Sequence, residues 1–148
     1  MADECPFCAA NETPVDELPA RERAHVGEHW RVTVNASALP GWLLVILRRH
    51  VETLAELEPA EAAELGGILA EGTRALGETV GAVKSYAMLF AEATKHAHFS
   101  LVPRMADIPD RFKGANVQGY NQEGTPISEA ERDAIAERIA AVWHASAG

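Results

Sequence analysis

The stretch Lys95-His96-Ala97-His98-Phe99-Ser100-Leu101-Val102-Pro103-Arg104 decides how the rest of the chain is read. Up to Val102 it alternates polar and apolar residues, and a period of two marks a strand. Successive side chains of a strand point to opposite faces. His96, His98 and Ser100 therefore share one face. Ala97, Phe99 and Leu101 share the other, where they can pack beneath a helix. Neighbours along one face stand about 7 Å apart, far enough for two histidines to hold separate jobs. The pattern predicts a strand from His96 to Val102, stopped by Pro103, with its polar row on the open face of a sheet.

Outward from this strand the same logic supplies its neighbours. His29 to Asn35 alternates and predicts a half-buried strand. Pro40-Gly41 marks a turn, and the apolar run Trp42 to Leu47 predicts a central strand that ends in Arg48-Arg49-His50. A short helical segment is expected near Thr53 to Leu57. Pro59 then stands at a first helical position. Leu65, Ile68, Leu69, Leu76 and Val80 recur at helical spacing and predict an amphipathic helix from Pro59 to Thr79. Its glycines, Gly66, Gly67, Gly72 and Gly77, weaken it locally but allow close packing on a sheet. Val83 to Phe90 predicts a further strand, and Ala91 to Lys95 a short link.

Residues 9–20 read as a loop. Residues 103–127, rich in Gly, Pro, Asn and Asp, form a long segment of the kind that is functional, mobile or partner-bound. A capping box at Ser128 to Glu131 opens a last helix over about 128–145, with Ile135, Ile139, Val142 and Trp143 as its stripe. Strands adjacent in sequence favour an antiparallel sheet with helices packed on one face, an α+β class. The 148 residues suit one domain, 1–148.

The formal net charge of −9 at pH 7 argues against a nucleic-acid polymer as partner, because an acidic chain repels phosphates instead of releasing counterions. Arg48, Arg49, Lys95 and Arg104 are the local positives that a small anion would need. Arg48 and Arg49 read first as solvated strand-end charges, Arg104 as structural or dimer-related. Trp42 reads as a core residue, and His25, His29 and His144 as surface residues. The longest apolar run is strand-sized, so no membrane span is expected. The acidic start Met-Ala-Asp-Glu-Cys lacks the apolar stretch of a secretory signal, and cytoplasmic residence is the expectation.

The two cysteines, Cys5 and Cys8, stand three apart. A disulfide between them would close a tiny loop and constrain little. A thioredoxin-like redox pair needs a preceding strand, for which four residues are too few. In a reducing compartment, metal binding is the better reading. His-x-His and His50 add imidazoles. By itself, His-x-His reads equally well as two surface histidines; the accompanying cysteines and His50 favour a metal. Zinc takes four nitrogen and sulfur ligands tetrahedrally, and a closed set of four is structural.

Cys5-Pro-Phe-Cys8, the segment from Pro40 through His50 to Leu54, and Lys95 to Arg104 together resemble the histidine triad family, in order, over roughly Cys5 to Arg104. The resemblance implies a homodimer and a structural zinc ion held by Cys5, Cys8, His50 and His96, with residues 1–20 as the zinc-binding segment. It implies that His98 is the nucleophile of a nucleotide hydrolase or nucleotidyl transferase acting at an α-phosphate, and that the segment Met105 to Thr125 crosses to a second subunit. Ser100 stands where the family carries a third histidine that helps hold the phosphate. The glycine-rich loop that precedes the motif in many members is replaced by Ala91 to Lys95; Thr94 and Lys95 are the candidate phosphate ligands there, and Glu92 opposes a phosphate if it faces the site. Asn35 lies near the family's ribose-contacting acid, and also reads as a turn-forming Asn. The rival expectation is a non-catalytic, zinc-stabilised nucleotide-binding or interaction protein.

Overall fold

In the computed structural model, which describes residues 4–144, the apolar run becomes the central strand β3, Leu43–Leu47. The outermost residues of the expected domain, 1–3 and 145–148, lie outside the described residues, and the C-terminal helix ends at Val142, before the expected 145. Antiparallel to β3 on one side runs β2, Trp30–Val34, and beyond it the two-residue β1, His25–Val26. On the other side runs β5, His98–Arg104, followed by β4, Lys84–Met88. The order is β1-β2-β3-β5-β4, and every pairing is antiparallel. The α+β expectation holds.

Two long helices cover one face. The first, α2, Pro59–Val80, starts at a proline that presets the helical φ and ends where Gly81 turns left-handed at φ 75°. The last, α4, Glu129–Val142, is capped by Ser128, whose side chain accepts from the Glu131 amide at 3.1 Å. Trp30, Val32, Val34, Leu43, Val45, Leu47 and Leu101 meet Ile68, Leu76, Ile135 and Ile139 in the main core. Each such side chain contributes about 1.5–3 kcal/mol by leaving water. Of the four helix glycines only Gly72 seats the helix tightly: a Cβ there would stand 2.6 Å from Leu101 Cδ1, whereas at Gly66 and Gly67 it would meet nothing.

Several expectations are corrected. Strand β2 is buried along its whole length, not half-buried. The reason is a helix where a loop was expected: α1, Pro6–Glu12, lies over its second face. Asn11 on α1 accepts from Arg31 Nε at 3.0 Å and donates to the carbonyls of Leu47 and Arg48 at 3.1 Å. Single helical turns follow at Val15–Glu17 and Ala20–Glu22.

Strand β5 begins at His98, not His96, and runs through Pro103 to Arg104. Arg104 O accepts from Val83 on the β4 side, so Pro103 presents its missing N–H to the opposite side, where β3 pairing has already ended at Leu43–Leu101.

The segment after β5 packs on this chain's own sheet. Its turns at Asp110–Phe112 and Gly114–Asn116 and helix α3, Val117–Glu123, fold over the second face of the same sheet. Ile108, Phe112 and Val117 there form a second core with Leu39, Trp42 and Val102. Arg49 is exposed, as expected of a strand-end charge, and it also holds the buried Glu61 through two hydrogen bonds, at 2.8 and 3.0 Å. His25 is half-buried and stacks on Trp143 at 4.3 Å. Among the described residues no helix is long and apolar enough to cross a membrane.

Candidate functional site

Helix α1 begins at Pro6, so Cys5 is its N-cap and Cys8 sits in its first turn. That local geometry turns both thiols toward the sheet, where both are buried. His50 arrives from the end of β3, and His96 from the residues just before β5. The ligand atoms of Cys5, Cys8, His50 and His96 all lie within 4.8 Å of one another. Cys5 Sγ is 3.4 Å and Cys8 Sγ 3.6 Å from His96 Nδ1; Cys8 Sγ is 3.2 Å and His96 Nδ1 3.1 Å from His50 Nδ1. A tetrahedron with zinc bond lengths has S···N edges of about 3.6 Å and N···N edges of about 3.3 Å. The observed separations match it to within a few tenths of an ångström.

The chemistry of the donors agrees. His96 is fully buried, and its Nε2 stands 2.6 Å from the Leu47 carbonyl. A carbonyl only accepts, so Nε2 carries the proton and Nδ1 offers its lone pair inward. Burial, aided by the neighbouring His50, His98 and Arg31, holds the His96 pKa below its ordinary value against the opposing pull of the Leu47 carbonyl. The ring is therefore neutral, as a ligand must be. Two thiolates and two neutral imidazoles cancel the charge of a divalent ion, and four donors leave no place for water. The set fits zinc, and its role is structural. The expectation that His96 belongs to an open polar row is corrected here: α1 closes over it.

His98 is the first residue of β5 and half-buried. Its Nδ1 stands 2.7 Å from the carbonyl oxygen of His96, two residues earlier in the chain. Nδ1 therefore carries the proton, and Nε2 presents a lone pair. In front of it opens a cleft of ≈ 420 Å³, lined by Met88, Phe90, Glu92, Thr94, Ser100 and Gln118 among others. Ser100 follows His98 on the same face of β5, paired with Leu44 on one side and Met88 on the other.

The other candidates separate. Thr94 lines this cleft and also a second one, of ≈ 220 Å³, bounded by Cys5, His50 and Lys95. Lys95 is not among the residues lining the His98 cleft, and neither is Asn35, whose amide bonds the Trp42 carbonyl at the end of β2. Glu92 does line it.

Two participants escaped the sequence reading. Phe7, between the two cysteines, sets its ring edge-on at 4.9 Å from His98 and 5.6 Å from His96. Its position inside Cys-x-x-Cys was the available signal. Gln118 comes from α3, in a segment that showed no periodicity to assign it.

No family profile matches the chain, and no curated protein matches it by sequence. Solved structures do match. A zinc-bound histidine triad family protein from Mycobacterium smegmatis is 18% identical, with 95% of this chain and 96% of that one covered at a TM-score of 0.69. A Hit-like protein involved in cell-cycle regulation from Bartonella henselae is 18% identical, with 94% and 96% covered at 0.69. A hypothetical histidine triad nucleotide-binding protein from Sulfolobus tokodaii is 19% identical, with 93% and 90% covered at 0.69. The chain has the histidine triad fold.

Proposed function

We propose that the protein is a nucleotide hydrolase or nucleotidyl transferase that works at an α-phosphate through a nucleotidyl-histidine intermediate on His98. The observation that carries this is the 2.7 Å hydrogen bond from His98 Nδ1 to the His96 carbonyl, because it leaves Nε2 basic and aimed by the backbone at an open cleft. The histidine triad fold of the solved relatives supports the same reading.

In the first step, Nε2 attacks the α-phosphorus. The bond to the leaving group breaks, and that group departs with the bonding pair and gains a proton from water. The ring, now bonded to phosphorus and still protonated at Nδ1, is cationic, and the His96 carbonyl stabilises that charge. In the second step, water or another acceptor attacks phosphorus and loses its proton. The N–P bond breaks, its electron pair returns to Nε2, and the nucleotide is released. Ser100 and Thr94 donate to the phosphoryl oxygens. Serine lacks the charge of an imidazolium, and loss of one good donor at such a site costs about 10²-fold to 10³-fold in rate. Cys5, Cys8, His50 and His96 would hold zinc, which would supply no reaction chemistry and would staple α1, and with it Phe7, beside the nucleophile. A homodimer and cytoplasmic residence belong to the same reading.

Glu92 in the cleft favours a second reading, a nucleotide-binding or interaction protein without turnover. AMP release from an adenosine phosphoramidate separates the two. Turnover by zinc-loaded protein that disappears in a folded, zinc-loaded His98→Ala variant supports the enzyme. Turnover that survives the substitution refutes His98 as nucleophile.

A further inference from the structure

The pair in Cys5-Pro6-Phe7-Cys8 has a second chemistry beside metal binding. Helix α1 brings both sulfurs to one side, within 4.8 Å of each other. Two thiolates at this spacing can close to a disulfide once an oxidant reaches one of them. The cleft of ≈ 220 Å³ gives an oxidant its way in, since it is bounded by Cys5 and His50 and reaches neither Cys8 nor His96. The charged residues of its described lining are Glu4, Glu52 and Lys95. Two carboxylates against one ammonium suit a neutral oxidant going in and a cation coming out.

The cover over this part of the sheet depends on the same pair. At seven residues α1 is too short to be stable alone. Besides the metal ligands, Asn11 ties it to the sheet, and Phe7 rests on His96 and His98. Beneath it Arg31 is 2% exposed, and one of its terminal nitrogens has no hydrogen-bond partner among the described residues. Lifting α1 would give that nitrogen water. The metal site therefore holds α1 closed against a buried cation left partly unpaired.

We propose that Cys5 and Cys8 are an oxidative modification site: hydrogen peroxide converts the pair to a disulfide, the metal ligands fall from four to two, and α1 with Phe7 lifts from His98. The Cys5 thiolate attacks one peroxide oxygen; the O–O bond breaks, hydroxide leaves, and Cys5 becomes a sulfenic acid. The Cys8 thiolate attacks the Cys5 sulfur; the S–O bond breaks and a second hydroxide leaves. The two sulfurs lose two electrons and the peroxide gains them. The new bridge closes a tiny loop and ties nothing to the sheet, so it does not replace the metal site. A thiol reductant reverses the step by exchange. The effect on His98 rests on the nucleophile reading; the disulfide and the loss of metal do not.

The test treats zinc-loaded full-length protein with hydrogen peroxide and follows zinc passed to a chromogenic chelator, remaining thiols, intact mass and hydrogen exchange. Zinc is expected to leave in step with both thiols, with a mass lower by two hydrogens, and dithiothreitol with added zinc is expected to reverse all three changes. Amides of residues 4–12 are expected to exchange at least about 10-fold faster, while those of α2 keep their protection. Phosphoramidate turnover is expected to fall with the zinc and return with it. Zinc retained at a peroxide dose that oxidises a cysteine-bearing control peptide overturns the site, and so does thiol loss that ends in sulfinic or sulfonic acid or in disulfides between chains. Exchange that rises equally in α2 overturns a local release of α1. Turnover unchanged after zinc has left overturns the link to His98. No turnover before oxidation overturns the nucleophile reading alone, and zinc release still decides the modification.

Discussion

Replacing Gly72 by alanine sets two effects of similar size against each other, and the packing of α2 decides the outcome. In a free helix the change is worth about 0.8–1 kcal/mol in favour of alanine. In this protein the new Cβ would stand 2.6 Å from Leu101 Cδ1 and 3.8 Å from the Trp143 ring. Leu101 is 1% exposed, held between α2 and the sheet. It must shift by roughly 1 Å, and overpacking of that kind costs about 1–3 kcal/mol. The expected net is a loss of up to about 2 kcal/mol, or a fall in Tm of up to roughly 8 °C at this chain length. Gly66 provides the control on the same helix, since its Cβ would meet nothing within 4 Å. Gly66→Ala is expected to gain about 0.5–1 kcal/mol. Urea and thermal unfolding of the two zinc-loaded variants measure both values. A Gly72→Ala protein as stable as the wild type, or more so, would refute the seating of α2 on Leu101.

Cys8→Ala removes one corner of the metal site and is expected to abolish stoichiometric zinc in a chromogenic chelator assay and to lower Tm, because binding energy of a structural site is folding energy; unchanged zinc content would refute the four-residue site. Ser100→His restores a charged donor on the His98 face of β5 and is expected to raise phosphoramidate turnover by about 10²-fold; a rate no higher than wild type would show that the rest of the cleft cannot use it. The hydrogen bonds from Arg74, with the His144 amide adding to them, hold the Glu71 carboxyl down at about 2 from an ordinary 4.5 and tie α2 to the end of α4. A carboxyl depressed in the folded state stabilises the fold above its unfolded value, so this contribution is present above pH 4.5 and is lost as pH falls toward 2. Unfolding free energies across that window should lose part of their slope in Glu71→Gln, and an unchanged slope would remove the assignment.

Much of the sheet was legible because its signals are local. The Leu43–Leu47 run is apolar at every position, and Pro59 and Ser128 mark helix starts with chemistry that acts over a few residues. The first helix was not legible. At seven residues it is too short to be stable alone, and Asn11 and the thiols at its start hold it by contacts to remote strands. Pro103 looked like a stop because a central strand cannot spare the N–H; β3 ends before reaching it, and nothing near Pro103 in sequence says so. The role of residues 105–124 was hidden for a similar reason, since Ile108, Phe112 and Val117 follow no helical or strand period and find their partners only across the second face of the sheet.

At the site the division is sharper. The residue types alone determined the donor chemistry: two thiols, two imidazoles suited to zinc, and a further histidine beside them. Tertiary structure decided that Cys5 and His96, 91 residues apart, meet at 3.4 Å, that His96 is sealed under α1, and that Glu92 rather than Lys95 lines the cleft of His98. Side-chain identity sets which atoms can bind or attack, and it travels with the sequence. Which of them face one another depends on strand register and on what covers each face of the sheet, and both are settled by contacts between residues far apart in the chain.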